Sequence, residues 1–470
     1  MGEPRFFATS YDRSQCSTGV VHVGFGAFHR AHQAVFIDDY MNKTGDLRWG
    51  IAAVNLRASE SGAFADASKP TDGYLLKTIS PDGTQEFRKV RSHLEFWDAS
   101  KDMDAATALL ARTTVSVVTI TITESGYAFD ENWALNLKDP GVAADLSGET
   151  PHTLYGFLAR GLSKRQKAGG APISILCCDN IRSNGRVLER AFEAYLAASG
   201  QEDLLDWVRG HVSFPCSMVD RSTPRSSSEL RSEVRQLFPS EATSPIQAEA
   251  YLQWVLEDAF AGPMPDLAQS GVQIVTDVEP FEEAKIRILN GGHTCLAYLG
   301  ALSGHQTFDA AIRDPDLRAH YDRWECDEVL PGLGVNVPFD LPSYLSDVTH
   351  RFENEGIADQ LERICMDGYS KMGLYIRPTL EACLQQGIQP NAGYDSIASW
   401  VVFARHSASG RSNIPYHEPF WEGLAPMLEH GREDDLARDP QLWGDLPKRF
   451  PRFTPDLTAA IKRMDAQWPA

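Results

Sequence analysis

Residues 20–30, VVHVGFGAFHR, constrain the fold of this chain more than any other stretch. A short apolar run ends in Gly24 and Gly26 and leads into an amphipathic stretch at 31–41, which is the order strand, glycine turn and helix. Because glycine lacks the Cβ that blocks close approach, such a turn lets backbone N–H groups and a helix N-terminus face a pyrophosphate. His29 replaces the third glycine of G-x-G-x-x-G, and a turn of purely structural role shows the same pattern.

Strands and helices alternate after this turn as far as residue 279, which predicts a doubly wound sheet. Apolar and β-branched runs predict further strands at 50–55, 115–123, 173–178 and 271–277, and residues 73–95 predict a β-rich insertion.

Helical periodicity dominates after Pro280, and Pro378 is expected to kink or end one helix. The amphipathic stretches lie at 284–302, 355–386 and 394–406. A chain of 470 residues also exceeds what one core usually holds. The sequence therefore predicts an α/β protein with a Rossmann-like dinucleotide-binding domain at 1–279 and a mostly α-helical substrate-binding and catalytic domain at 280–470.

Polar residues follow several of the predicted strands, where ligands collect in an open α/β sheet. We expect Thr123 and Glu124 to contact a cofactor or substrate, and Asp220 to face the same site. Asn180 is expected to reach that site as a donor to an oxyanion, while Asn184 caps the next helix. Ordinary polar turns and helix caps use the same residue types.

The residues after the predicted strand at 50–55 stand where a dinucleotide fold contacts the adenosine ribose. An acid there would favour NAD through the 2′-hydroxyl, whereas Arg57 could equally pair with the 2′-phosphate of NADP, and Glu60 is a further candidate. NAD is the expected cofactor, and NADP stays open.

The stretch 281–294, FEEAKIRILNGGHT, holds the candidates for chemistry. In an α-helix Asn290 and His293 lie one turn apart and both within about 140° of Lys285, so all three reach one pocket. Intervening apolar residues would bury the segment, and a desolvated lysine can act as a base. A snorkelling surface lysine and a satisfied histidine are the alternative interpretation.

The composition excludes several classes of protein. With 44 basic and 64 acidic residues the net charge is −20, and no basic run is present, so neither nucleic acid nor an anionic membrane is an expected partner. The eight cysteines form no C-x-x-C and no zinc-finger spacing, which predicts reduced thiols and no metal site. The first residues lack an apolar h-region, so a cytoplasmic protein is expected, as a monomer or small homo-oligomer.

Five blocks occur along the chain in one order: VGFGAFHRAHQ at 23–33, TITESGY at 121–127, CDN at 178–180, MVDR at 218–221 and KIRILNGGH at 285–293. Together they resemble the polyol-specific long-chain dehydrogenases and reductases, the mannitol dehydrogenase family. The resemblance implies a metal-independent enzyme with an expanded Rossmann domain, a helical C-terminal domain and an active site in the cleft between them.

The resemblance also implies roles for individual residues. Lys285 would be the general base, Asn180 and Asn290 would hold the substrate oxygen as charge builds on it, and His293 would orient neighbouring hydroxyls. The cofactor would contact the residues of the glycine turn and the turn after the strand at 115–123, which are Gly24, Phe25, Gly26, Ala27, Phe28, Thr123 and Glu124.

The segment LERICMDGYSKM resembles the family's substrate-binding stretch, which implies that Arg363 and Lys371, with Asp220, bind the substrate. Met366 and Tyr369 depart from the histidine and the serine found in some members, which puts the exact substrate in doubt.

The leading interpretation is an NAD-dependent dehydrogenase for a linear C5 or C6 polyol of the mannitol, arabinitol or sorbitol type. The alternative within the family is a fructuronate or tagaturonate reductase. A silent dinucleotide sensor would not need the base, the asparagines and the histidine, and a zinc alcohol dehydrogenase would need metal ligands at structured spacing.

Overall fold

The computed structural model of the protein describes residues 5–70, 72–130, 133–148, 150–239, 244–334 and 337–469. The chain divides into two compact units, one of Met1–Ile79 with Thr84–Glu279 and one of Ser80–Gly83 with Pro280–Ala470.

The first unit is built on a six-stranded sheet in which all neighbouring strands run parallel, in the order β6-β3-β2-β7-β8-β9. This is the strand order of a dinucleotide-binding fold. Two smaller sheets, β1-β5-β4-β11 and β10-β12-β13, complete the unit. The strands are β1 Arg5–Ala8, β2 Thr18–Val23, β3 Gly50–Asn55, β4 Tyr74–Ile79, β5 Gln85–Val90, β6 His93–Asp98, β7 Val117–Ile120, β8 Ile173–Cys177, β9 Val212–Ser213, β10 Ser217–Asp220, β11 Ile246–Glu249, β12 Gln253–Glu257 and β13 Gln273–Val275.

Helices cover both faces of the large sheet because its central strands are apolar on both sides; every residue of β2, β3, β7 and β8 is buried. The helices of this unit are α1 Ala27–Ala31, α2 Gln33–Thr44, α3 Ser61–Ala67, α4 Met103–Ala108, α5 Pro140–Leu146, α6 Leu154–Lys167, α7 Asn184–Ala198, α8 Glu202–His211 and α9 Ser228–Leu237.

The structure shortens the strand predicted at 115–123 to β7, which ends at Ile120. The polar residues that follow bond elsewhere. The hydroxyl of Thr121 donates to the carbonyl oxygen of Gly24, and the Ile122 N–H donates to the Asp179 carboxylate. The β-branched side chains extended the pattern, and the Thr121 N–H still donates to the Val23 carbonyl oxygen, but the N–H groups of Ile122 and Thr123 donate to Asp179 and not to a neighbouring strand.

The second unit is helical, as predicted. Its helices are α10 Glu279–Ala284, α11 Gly291–Leu302, α12 Phe308–Arg313, α13 Pro315–Arg323, α14 Leu330–Leu333, α15 Leu341–Phe352, α16 Leu361–Ile364, α17 Gly368–Lys371, α18 Arg377–Gln385, α19 Asn391–Ala408, α20 Trp421–Leu424, α21 Glu433–Ala437, α22 Pro440–Trp443, α23 Leu446–Arg449 and α24 Phe453–Gln467. The long α19 packs against α11 and α24, and its Trp400 is fully buried.

Three π-helical segments join helices of this unit, at Lys285–Asn290, Trp324–Val329 and Met372–Ile376. The second and third each lead into a helix that has proline as its second residue, Pro331 and Pro378. Proline lacks an N–H and clashes with the carbonyl group four residues earlier, and a widened turn accommodates both effects. The amphipathic stretch at 355–386 is therefore divided among several helices, and Pro378, expected to kink or end a helix, is the second residue of α18.

None of the helices formed by the described residues has the length and apolar character needed to cross a bilayer. In the same residues, one group of potential metal ligands comes together, His430, Glu433 and Asp465. The guanidinium of Arg405 already pairs with both carboxylates.

Candidate active site

The turn after β2 approaches the neighbouring strand so closely that its first glycine is required. Gly24 has a φ of +99°, and a Cβ there would lie 1.9 Å from the carbonyl oxygen of Thr121. Its N–H donates to the Val54 carbonyl oxygen at 2.9 Å. Packing of the sheet therefore accounts for this glycine.

Gly26 has no such packing requirement. Its φ of −79° suits any residue, and a Cβ there would meet no atom within 4 Å. Helical structure begins at Ala27, earlier than predicted, and is broken at His32 before α2. The second glycine of the turn thus leaves open space that the protein itself does not fill.

That space belongs to a cleft of about 550 Å³ in the first unit. Of the seven residues predicted to contact a cofactor, Gly24, Phe25, Gly26 and Thr123 line it. Ala27 is the first residue of α1, the Phe28 ring stacks on His32, and Glu124 is exposed outside the lining.

The end of β3 forms another part of the cleft, where Asn55, Arg57 and Glu60 line its wall. The Asn55 side chain donates to the Arg57 carbonyl oxygen and to the Asp98 carboxylate, both at 2.9 Å. Arg57 is exposed, and its guanidinium donates to the carbonyl oxygen of Ile122 at 3.2 Å. Arg57 and Glu60 therefore place both a cation and an acid in this wall of the cleft.

The turn that carries Thr123 is held by Asp179, which sequence analysis did not identify. Thr123 has a φ of +64°, in the left-handed region. The Asp179 carboxylate accepts from the N–H groups of Ile122 and Thr123, at 2.8 and 3.3 Å, and from the Tyr127 hydroxyl at 2.7 Å. Burial raises the pKa of Asp179 against these bonds. Its place between Cys178 and Asn180, after a buried strand, was the available signal.

The two asparagines after β8 have different environments. Asn180 is exposed, whereas Asn184 is buried. Asn184 is the first residue of α7 and not its N-cap, which is Ser183, but its Oδ1 accepts from the Gly185 N–H at 2.8 Å, so it satisfies one donor of the first turn. The Asn184 amide group also bonds the backbone of Ser217 in β10, donating at 2.8 Å and accepting at 2.9 Å. Asp220 is buried at the end of β10.

The helix of the second unit that carries the predicted base is not a plain α-helix. Lys285, 7% exposed, opens the π-helical segment, and Asn290 closes it. The Gly291 N–H donates to the carbonyl oxygen of Ile286, five residues earlier. In this geometry a residue five positions on lies one turn away, so Asn290 is closer in angle to Lys285 than the 140° expected for an α-helix.

The two glycines before His293 allow close helix packing. A Cβ on Gly291 would lie 3.3 Å from the Tyr375 carbonyl oxygen, in the third π-helical segment. A Cβ on Gly292 would lie 2.7 Å from Oε1 of Glu325, in the second. The second and third π-helical segments therefore both pack against the start of α11, which directly follows the first segment and carries His293.

His293 is half-buried between two aromatic rings, with ring centroids 4.3 Å from Phe352 and 4.5 Å from Phe308. Desolvation lowers its pKa to about 4, opposed by Asp359 and reinforced by Arg363. The imidazole is therefore neutral at physiological pH and can donate or accept a hydrogen bond.

The cationic residues predicted to bind substrate already have partners within the unit. Arg363 is exposed and forms a bidentate pair with Asp359, with Nε 2.9 Å from Oδ1. The ammonium group of Lys371 donates to the Ile364 carbonyl oxygen at 2.8 Å, and desolvation lowers the pKa of this lysine.

The two departures from the family pattern differ in their effect. The hydroxyl of Tyr369 donates to the Asp439 carboxylate at 2.7 Å, so the added phenol is bonded within its own unit. Met366 is half-buried and brings no polar group to the stretch.

Comparison with known proteins agrees with this architecture. Residues 18–269 match the Mannitol dehydrogenase Rossmann domain, and residues 277–464 match the Mannitol dehydrogenase C-terminal domain. The D-arabinitol 4-dehydrogenase of Klebsiella pneumoniae is 34% identical over 429 residues, which cover 91% of this chain and 94% of that protein.

Two solved structures have the same fold over nearly the whole chain. The ternary complex of Pseudomonas fluorescens mannitol 2-dehydrogenase with NAD and D-mannitol is 32% identical, with a TM-score of 0.85 and coverage of 98% of this chain and 94% of that one. A substrate-free D-sorbitol dehydrogenase is 29% identical, with a TM-score of 0.88 and coverage of 97% and 95%. The resemblance seen in the sequence is confirmed, and the chain belongs to the mannitol dehydrogenase family.

Proposed function

We propose that this protein is an NAD-dependent polyol dehydrogenase that interconverts a linear C5 or C6 polyol and its ketose without a metal. The observation that carries the proposal is the buried Lys285 at the start of a π-helical turn, with Asn290 one turn on and His293 just beyond. Family membership and relatives named for mannitol, arabinitol and sorbitol support the same class of substrate.

The first unit fits a dinucleotide. The cleft lies at the carboxyl ends of β2, β3 and β7, and Gly26 keeps part of it free of any side chain. When bound there, NAD supplies the acceptor for the hydride that leaves the carbinol carbon.

The chain's own residues handle the proton and the oxygen. Lys285 takes the hydroxyl proton as general base, which its burial favours because the ammonium form is poorly solvated there. Asn290 and Asn180 donate to the oxygen as negative charge builds on it. Neutral His293 orients the neighbouring hydroxyl groups from a ring fixed by Phe308 and Phe352.

The paired state of Arg363 favours a neutral polyol over a hexuronate. A substrate carboxylate would have to share or displace the Asp359 carboxylate, whereas a polyol hydroxyl can use the donors and acceptors of the intact pair. Asp220 and Lys371 complete the set of groups proposed to bind hydroxyls.

Steady-state rates on a panel of substrates test the function and the base together. We expect wild-type enzyme to oxidise mannitol, arabinitol or sorbitol with NAD, and Lys285→Ala to lower kcat by about 10²- to 10⁴-fold while NADH still binds. Replacing the exposed Lys462 by alanine is the control for loss of a lysine elsewhere. Near-normal turnover in Lys285→Ala would refute the mechanism.

The same panel separates the two substrate classes. If mannonate has a kcat/KM about tenfold above every polyol and loses that advantage in Arg363→Ala, the hexuronate reductase replaces the polyol dehydrogenase. A preference for NADP that disappears in Arg57→Ala would assign that guanidinium to the 2′-phosphate.

A further inference from the structure

Arg30 is a buried cation in the wall of the nucleotide cleft. It lies one helical turn after Gly26, and its backbone N–H donates to the Gly26 carbonyl oxygen at 3.3 Å. Only 7% of the residue is exposed, and the guanidinium carbon stands 5.3 Å from the centroid of the Phe25 ring and 5.4 Å from that of Tyr74. The charge is thus held at the cleft in a largely aromatic environment.

This guanidinium lacks an acidic partner among the described residues. One terminal nitrogen donates to the backbone and hydroxyl oxygens of Ser244, at 3.0 and 3.3 Å, and Nε has no hydrogen-bond acceptor in the described part of the chain. Desolvation accordingly lowers the pKa of Arg30. A buried charge without a counter-ion is costly, and it is usually kept where a ligand supplies the opposite charge.

Other buried arginines of the protein are compensated. Arg405 pairs with Glu433 and Asp465, and Arg221 donates to the carbonyl oxygens of Glu249 and Ala31, at 2.9 and 2.5 Å. Arg165 lies away from the cleft and donates to the carbonyl oxygens of Leu110 and Ala171, at 2.7 Å each. Arg30 alone among these four lines the cleft and has neither a carboxylate nor a full set of carbonyl acceptors in the described residues.

We propose that Arg30 is the counter-ion for the pyrophosphate of the bound dinucleotide, an assignment that rests on the proposed function. The pyrophosphate is favoured over the 2′-phosphate because Arg30 belongs to α1, which begins directly after Gly26, whereas Arg57 occupies the wall at the end of β3. A diphosphate also offers the planar fork of the guanidinium two acceptors, including one for Nε.

Binding of ligand fragments to Arg30→Gln tests the assignment. The measurements are the Kd of NADH and NADPH by nicotinamide fluorescence and the Kd of ADP and of adenosine by isothermal titration calorimetry. We expect Arg30→Gln to weaken ADP and both dinucleotides by about 10- to 100-fold and to leave adenosine unchanged, since only the phosphates lose a charge-assisted contact. Arg30→Lys should recover part of the affinity.

Arg165→Gln is the matched control, because it also removes a buried guanidinium from the first unit and should leave the ADP-to-adenosine ratio unchanged. Thermal unfolding without ligand checks that each variant is folded. Unchanged ADP affinity in Arg30→Gln, or an equal loss for adenosine, would overturn the assignment, as would an effect confined to NADPH. If wild-type enzyme binds ADP through Arg30 but binds neither dinucleotide, the anion site stands and the proposed function fails.

Discussion

At the scale of single residues, glycine suits the two positions of the turn after β2 for different reasons. Gly24 is fixed by its positive φ and by the nearby Thr121 carbonyl group, whereas the open space beside Gly26 lies within the cleft. Sequence analysis could name both glycines but could not separate these causes, because the pattern G-x-G contains neither the dihedral angle nor the neighbouring strand.

We therefore predict that Gly26→Val weakens NADH binding by about tenfold or more, since the branched side chain enters space that the pyrophosphate needs. Folding should be little affected, because a Cβ at this position contacts no protein atom. Fluorescence titration and thermal unfolding of the same sample measure the two properties.

Gly210→Val is a suitable comparison, since a Cβ on this exposed glycine of α8 also meets nothing within 4 Å and lies away from the cleft. An unchanged Kd for NADH in Gly26→Val would mean that the open space at the turn does not hold the cofactor.

At the scale of elements, the sequence indicated which segments form strands and helices better than how those segments bend. β3 was predicted with its observed limits because five buried apolar or small residues lead up to Asn55. The π-helical turn at Lys285–Asn290 was not predicted, because one extra residue in a turn leaves apolar periodicity almost unchanged. The segment's partners, Trp324–Val329 and Met372–Ile376, are distant in sequence, so local patterns cannot reveal their packing.

The same packing explains an unusual carboxyl group. Glu325 is fully buried, neither of its oxygens has a hydrogen-bond partner among the described residues, and desolvation holds its pKa well above the ordinary range. Desolvation therefore favours the protonated, uncharged form of this side chain, which packs against Gly292.

We predict that Gly292→Ala destabilises the second unit by about 1–3 kcal/mol, because the new methyl group would lie 2.7 Å from Glu325 Oε1 and 3.1 Å from the Tyr321 ring. Chemical denaturation of Gly292→Ala, Glu325→Ala and the double variant measures the coupling. The double variant should be more stable than the sum of the single effects, since the truncated side chain leaves room for the methyl group. Strict additivity would contradict the contact.

At the scale of the whole molecule, the two units contain different buried titratable groups. In the first unit His22 and His29 stack with ring centroids 3.2 Å apart, and His29 Nε2 lies 2.9 Å from His93 Nε2. Desolvation lowers the pKa of His22 to about 3 and those of His29 and His93 well below the ordinary 6.5. All three are neutral in the folded unit.

The second unit contains buried histidines and buried glutamates, whose pKa values shift in opposite directions. Desolvation lowers the pKa of His293 and of His320 to about 4 each, but it raises the pKa of Glu328 to about 7 and also raises that of Glu325. Between pH 6.5 and pH 5 the unfolded chain binds protons on the histidines that the folded unit leaves neutral, whereas the folded unit holds a proton on Glu328 that the unfolded glutamate largely lacks. These contributions to stability have opposite signs.

We predict that mild acid weakens the first unit more than the second. Between pH 6.5 and pH 5 the unfolded state binds protons that the folded His22, His29 and His93 do not, so the first unit should lose about 1 kcal/mol per histidine and pH unit. Amide hydrogen exchange, corrected for intrinsic rates, should show protection falling in β7 and β8 while α19 changes little.

His22→Gln should remove about a third of the pH dependence in the first unit, because glutamine does not titrate and can still donate to the Gly24 carbonyl oxygen that His22 Nε2 reaches at 2.6 Å. Replacement of the exposed His430 by glutamine should change neither unit, since its ring is 64% exposed. Equal loss of protection in both units, or an unaltered pH dependence in His22→Gln, would show that the buried histidines do not govern acid stability.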